Sequence, residues 1–170
     1  MDNPYAAPQA SLSNSAETRE YDYAGFWLRT AASLIDGIAI VLITFPLSLL
    51  VYGVDEYLYT TSFYLGPADL VINYGLPAVL TILFWLQLGA TPGKMLLKLK
   101  VVDARTGQRL TLGKAILRYF GYFLSALLLG IGYFCVGWDK RKQGLHDKLA
   151  GTLVLKAHNG KGTPQISFAG

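Results

Sequence analysis

Trp27-Leu28-Arg29-Thr30-Ala31-Ala32-Ser33-Leu34-Ile35-Asp36-Gly37 places an arginine and, seven residues on, an aspartate in an otherwise apolar segment that runs without further charge to Val51. At about 1.5 Å of rise per residue the segment is long enough to cross roughly 30 Å of hydrocarbon, so it reads as a membrane-spanning helix. A lone carboxylate inside such a helix costs about 2.5 to 3.5 kcal/mol, so Asp36 is expected to face protein or water. Seven residues make nearly two helical turns, so Arg29, Ser33 and Asp36 share a face. Ala32 and Gly37 beside them permit close approach of a second helix. The rise between Arg29 and Asp36 is roughly 10 Å, too far for direct contact to suffice, and a third group is required.

Composition points the same way. The 170 residues are 52% hydrophobic and 15% charged, with the apolar residues gathered into long runs, which is the balance of a membrane protein. No small-residue cleavage site follows the first run at a suitable position, so no cleaved signal peptide is read. The single Cys135 cannot form an intramolecular disulfide and reads as a small apolar filler.

Outward from the first span, residues 1–21 are polar and Pro-containing and predict a disordered tail. Within it, Asn3-Pro4-Tyr5-Ala6-Ala7-Pro8 resembles a short motif found at the start of some bacterial inner-membrane proteins. Tyr21, Tyr23, Phe26 and Trp27 form an aromatic group suited to interfacial anchoring. After the span, residues 52–70 hold Asp55, Glu56 and Asp69 but no Lys or Arg, which predicts a loop outside the cytoplasm, with Tyr52, Tyr57, Tyr59, Phe63 and Tyr64 against the headgroups. A second span is predicted near Leu70–Leu88, with a stripe of Asn73, Pro77, Thr81, Phe84 and Gln87 turned toward the first. Ser33, Asn73, Thr81 and Gln87 are its candidate polar lining.

Between Gly89 and Arg118 stand Lys94, Lys98, Lys100, Arg105, Arg109, Lys114 and Arg118 against Asp103 alone, which makes this loop, and the N-terminus with it, cytoplasmic. Leu97–Val101 alternates apolar and basic, Asp103–Gly107 has turn chemistry, and Gln108–Leu112 follows, so a β-hairpin is expected. Gly89-Ala90-Thr91-Pro92-Gly93-Lys94 is one residue too short for a phosphate-binding loop, and Met95 stands where Ser or Thr belongs; Pro92 is read as fixing a turn. The third apolar run, Ala115–Trp138, is basic on both flanks. A re-entrant or broken helical pair, interrupted at Gly130-Ile131-Gly132, is therefore favoured, with a third full span as the alternative. Thr152–Lys156 is strand-like and needs a partner, the nearest being the hairpin edge, so the C-terminus is read as cytoplasmic. Residues 158–170 form a flexible tail.

Arg29 and Asp36, then Gly89–Lys94 with Val101-Val102-Asp103, then Leu145-His146-Asp147-Lys148-Leu149-Ala150-Gly151-Thr152 resemble the RDD family of bacterial membrane proteins over residues 22–157. The resemblance implies a small multi-span helical domain of the bacterial inner membrane. It implies that the named arginine and aspartates fall at Arg29, Asp36 and Asp147, and that the family has a suggested link to transport. The fold expected is therefore an α-helical integral membrane protein with two full spans, a third apolar run and a small cytoplasmic β-hairpin or sheet.

With a cytoplasmic tail, Asp147 can reach Arg29 at the inner end of the first helix, and one guanidinium can donate to two carboxylates. Two uses of an Arg29, Asp36 and Asp147 cluster stay open. One is ion or small-solute transport by an oligomer, with Asp36 exchanging protons or cations. The other is a structural clasp in a scaffold that recruits a partner membrane protein or acidic lipids through its basic sheet. Adjacent His146 and Asp147 lack catalytic geometry, no metal-ligand spacing or cofactor motif is present, and the basic residues flank membrane segments. An enzyme, a metal or cofactor protein and a nucleic-acid binder are not expected.

Overall fold

The computed structural model describes residues 19–62, 64–128, 130–157 and 166–168. The Asn3–Pro8 motif, Phe63, His158 and the rest of the two tails lie outside the described residues. The chain is mostly helical. It contains α1 (Phe26–Tyr52), α2 (Val54–Tyr59), α3 (Pro67–Leu70), a π-helical turn (Val71–Gly75), α4 (Leu76–Gln87), α5 (Pro92–Leu96), α6 (Leu112–Leu127), α7 (Ile131–Trp138) and α8 (Leu145–Ala150). Among the described residues two helical stretches are long and apolar enough to cross a membrane: Phe26–Tyr52, which includes Pro46, and Pro67–Gln87, built from α3, the π turn and α4.

α6 and α7 form the third apolar stretch, bent by 101° at the break expected around Gly130. Gly130 has φ of 79°, a left-handed conformation that ends one helix and starts the next at little cost only for glycine. The two halves then pack against each other so closely that a Cβ on Gly132 would lie 2.6 Å from Ser125 Oγ. α6 is amphipathic with its sides reversed from those of a soluble helix. Ala115, Arg118, Gly121 and Ser125 are buried, while Leu117, Phe120, Phe123 and Leu127 are exposed. Small and polar groups inside with apolar groups outside is the arrangement that suits lipid as the solvent.

Four antiparallel strands form one sheet in the order β2-β3-β1-β4, where β1 is Arg19–Tyr23, β2 Leu99–Asp103, β3 Thr152–Ala157 and β4 Ile166–Phe168. β2 lies in the expected place, but its partner differs from the expected hairpin. β3 pairs with it from Leu99↔Lys156 to Asp103↔Thr152, and residues 108–112 add no strand. The turn itself forms: Gly107 N–H donates to the Asp103 carbonyl at 2.9 Å and Arg105 N–H to Asp103 Oδ1 at 2.8 Å. Beyond it Gln108 and Arg109 are exposed, and Thr111 becomes the N-cap of α6. Leu153, Val154 and Leu155 are all buried, so β3 is apolar on both faces, which residues 108–112, with Gln108 and Arg109 exposed, cannot match.

β1 corrects the expected tail boundary, because the sheet begins at Arg19, and β4 lies in the segment read as a flexible C-terminal tail. Tyr21 and Tyr23, expected at a lipid interface, pack on one sheet face with Val102, Leu153 and Leu155. On the other face Leu99, Val101 and Val154 join Ala24, Ala32, Trp85, Leu110 and Ala115 in the main core. Because β3 is hydrogen-bonded to both β1 and β2, the segments preceding α1, following α4 and following α7 meet on one side of the molecule.

Candidate functional site

Asp147 enters at the third position of the six-residue α8, where its Oδ2 accepts the Gly144 N–H at 3.0 Å and so caps that helix. Its two oxygens are divided between two arginines. Arg29 Nη1, from the first turn of α1, donates to Oδ2, and Arg118 Nη1, from α6, lies 2.7 Å from Oδ1. Arg29 Nε also donates to the Ala24 carbonyl at 3.0 Å, and Arg118 Nη1 to Thr152 Oγ1 at 2.6 Å. Gln143 Nε2 closes the surround with a 2.8 Å bond to the Thr152 carbonyl. Asp147 and Arg118 have no exposed surface. Burial would raise the Asp147 carboxyl, but Arg118 and then Arg29 beside it outweigh that and hold it well below the usual carboxylate range.

Two aromatic contacts set Arg118 in place. Its guanidinium carbon lies 5.1 Å from the Trp85 ring centroid and 5.8 Å from that of Tyr122. His146 stacks on the other side of this cluster, its ring 4.1 Å from Tyr122, with Nε2 at 3.6 Å from Asp147 Oδ1. Burial, reinforced by Arg118, Arg29 and Lys94, outweighs Asp147 and pushes the imidazole down to about 3, so it is neutral at pH 7.

Asp36 belongs to a second site and not to this cluster. Its Oδ1 accepts the Gly93 N–H at 2.7 Å, and its Oδ2 accepts the Thr91 hydroxyl at 2.5 Å and lies 3.7 Å from Lys94 Nζ. Lys94 Nζ in turn donates to Thr91 Oγ1 at 3.3 Å. The expected three-membered cluster is therefore two ionic sites, and the reason is the closeness of α5 to α1. A Cβ on Gly93 would sit 2.2 Å from the Ala32 carbonyl oxygen, so Thr91-Pro92-Gly93-Lys94 lies directly on the helix face that carries Asp36. Pro92 stands in the first turn of α5, where its missing N–H costs nothing.

Of the expected polar stripe, Thr81 faces a cavity of about 390 Å³ that Ser33, Asp36 and Lys94 also line. Asn73 instead donates to Asp69 in its own helical stretch at 2.7 Å, and Gln87 is exposed at the end of α4. A second cavity of about 450 Å³ adjoins, walled by Arg29, Thr30, Lys94, Arg118, Phe26 and Phe134 among others, and shares Ser33, Lys94, Tyr122 and Tyr133 with the first. Among the described residues no group of three His, Cys, Asp or Glu side chains is placed to hold a metal ion. Arg118 is the residue that reading the sequence as a basic flank misses. Its signal is spacing: an arginine in register with Ala115, Gly121 and Ser125 on the small-residue face of an apolar helix.

The sequence model described as RDD family matches residues 23–151. The chain is 33% identical to the uncharacterised protein YxaI of Bacillus subtilis over 78% of its own length and 96% of that protein. It is 31% identical to the uncharacterised membrane protein YteJ of the same organism, over 82% and 85% of the two chains. It is 42% identical to the uncharacterised protein RP437 of Rickettsia prowazekii, over 45% of this chain and 42% of that protein, so it spans less than half of that relative. No solved structure matches.

Proposed function

The chain belongs to the RDD family, and from that premise we propose that this membrane protein is a multi-pass component of the bacterial inner membrane that carries ions or small solutes as an oligomer, with Asp36 as its proton- or cation-exchanging carboxylate. The observation that carries the reading is the difference between the two aspartates. Asp147 is sealed between two arginines, whereas the Asp36 side chain is 15% exposed and opens on the 390 Å³ cavity with Lys94 at 3.7 Å. A cation that takes Asp36 displaces Lys94 from its pair, so occupancy at the carboxylate and the position of the lysine are coupled.

Strand pairing and charge support an orientation with both termini in the cytoplasm. The side on which β1, β2 and β3 meet carries Lys98, Lys100, Arg105 and Arg109, while residues 53–66 hold Asp55 and Glu56 and no Lys or Arg. The bend between α6 and α7 supports a re-entrant pair that returns to that side. Two spans and one re-entrant pair enclose no pore, so association with further copies in the bilayer is part of the proposal. The test is flux in vesicles: Asp36→Asn, with the protein still folded, abolishes ion exchange, and unchanged flux would remove the carrier role.

A second reading is favoured by the sealed Asp147 site, which ties α1, α6, α8 and β3 into one unit beneath a basic sheet. In it the protein is a scaffold holding a partner protein or acidic lipids, and reversing the charges of Lys98 and Lys100 releases the bound material without changing any flux. Neither reading makes the protein an enzyme.

A further inference from the structure

The 450 Å³ cavity has a charge arrangement that the Asp36 reading does not use. Arg29, Lys94 and Arg118 line it, and no Asp or Glu does. Arg29 and Arg118 share the one charge of Asp147, and Lys94 answers Asp36, so the five groups together hold one uncompensated positive charge. Arg29 is only 8% exposed, and its Nη2 has no hydrogen-bond partner among the described residues, since Nε is taken by Ala24 and Nη1 by Asp147. A buried charged donor without an acceptor is costly, and because Arg29 lines the cavity, an oxyanion there is the acceptor that relieves it once the guanidinium turns slightly outward.

The remaining walls define what carries that oxyanion. Phe26 and Phe134 stack at 5.4 Å, and Phe134 is 53% exposed, so this pair stands at the outer edge of the cavity. Arg29 lies in the first turn of α1, beside Trp27 at 80% exposure, the depth at which an interfacial aromatic marks the headgroup layer. We propose that this cavity binds the phosphate of an anionic membrane lipid, with Arg29 and Lys94 donating to the phosphate oxygens and the Phe26–Phe134 edge covering the first carbons of its chains. A planar guanidinium and an ammonium are the donors that suit phosphate, and a net positive site selects a headgroup with net negative charge.

The test uses the full chain in detergent with three probes: dioleoyl phosphatidylglycerol, dioleoyl phosphatidylcholine and inorganic phosphate. Native mass spectrometry counts bound lipid, and thermal unfolding is followed in parallel. One phosphatidylglycerol is retained per chain and raises the melting temperature, phosphatidylcholine is not retained, and millimolar inorganic phosphate gives no comparable shift. Thr30→Trp fills this cavity without touching Asp147 or Asp36 and weakens phosphatidylglycerol retention at least about tenfold, because the headgroup and the added indole compete for the same space. Thr30→Leu makes the same test at smaller volume if the tryptophan prevents folding. Equal retention of the two lipids, or retention unchanged in the folded variant, overturns the site. A shift from inorganic phosphate equal to that from phosphatidylglycerol overturns the lipid as source and assigns the same donors to a soluble anion.

Discussion

Arg118 and Asp147 meet at 2.7 Å with no solvent-exposed surface on either side chain, one from the first half of a broken apolar helix and the other from the first turn of a six-residue helix that follows its second half. The contact ties α8 to the first half of the bent pair. It also fixes β3, because Arg118 Nη1 donates to Thr152 Oγ1 at the start of that strand. Helix packing and sheet docking are therefore joined through one guanidinium.

Replacing Arg118 by methionine leaves Asp147 buried with a single arginine and no donor to Oδ1 of comparable strength. The expected loss is about 3 to 5 kcal/mol, the cost of breaking a buried pair from one side. Asp147→Leu alone loses a similar amount, by leaving two buried guanidiniums without their acceptor. The double variant costs clearly less than the sum, since it removes the charges together. Unfolding of the four proteins in one detergent measures the cycle, and strict additivity would mean that the pair is not coupled.

His146 gives the fold a dependence on pH. Unfolded, the imidazole takes its proton near 6.5; folded, it resists until about 3, because burial, Arg118, Arg29 and Lys94 oppose the charge more than Asp147 favours it. Between those values the unfolded state holds the extra proton, so stability is fully present above 6.5 and falls as pH falls, at up to about 1.4 kcal/mol per pH unit. Asp147, whose carboxyl is depressed in the fold, adds a further loss below its ordinary value of 3.8. His146→Phe keeps the stack on Tyr122 and cannot be protonated. Its melting temperature is expected to be flat between pH 6.5 and pH 4, where that of the parent protein declines; parallel slopes would show that another group titrates there.

Residue type and spacing make some of this legible and leave some of it hidden. Apolar length and the glycines around Gly130 locate the two long helices and the break. The strand character of Thr152–Lys156 identifies a segment that must find an edge. Alternation in Leu97–Val101 is equally compatible with a neighbouring strand or a distant one, because a strand's pattern records which face is buried and not who pairs beside it. The same blindness hides the partner of Asp36. Thr91 and Gly93 lie 55 and 57 residues away, and what brings them close is the absence of a side chain at Gly93 against Ala32. Arg118 reads as one more basic residue at a membrane flank until the burial of Ala115, Gly121 and Ser125 shows that its face points inward.

Gly93 is the tightest point between α5 and α1, and alanine there has nowhere to go. Its Cβ would lie 2.2 Å from a backbone oxygen, so α5 must move away and weaken both bonds from Thr91 and Gly93 to Asp36. Gly93→Ala is expected to cost about 1 to 3 kcal/mol or more. Gly113→Ala, in the first turn of α6 with nothing within 4 Å of the added carbon, is expected to be neutral or to stabilise by up to about 1 kcal/mol. Thermal unfolding of the two variants separates loss of packing from a general intolerance of alanine at membrane glycines.

The proposed orientation can be read from outside a living cell, and the sheet requires its strands to share one side. In a Cys135→Ala background, single substitutions Asp55→Cys, Lys148→Cys and Lys156→Cys are placed in α2, in α8 and in β3. The Lys148 side chain is 50% exposed even though it reaches Asp139, and Asp55 is exposed, so a thiol at either position is accessible to reagent on its own side. A membrane-impermeant thiol reagent is expected to label Asp55→Cys in intact cells and to label the other two only after the cells are opened. The reason is topological. Lys156 stands opposite Asp22 on β1 and Leu99 on β2, and hydrogen-bonded strands cannot lie on opposite faces of a bilayer. Labelling of Asp55→Cys and Lys156→Cys together from outside would mean that α6 and α7 carry the chain across, that β2 and β3 are never paired in the membrane, and that Asp147 is out of reach of Arg29.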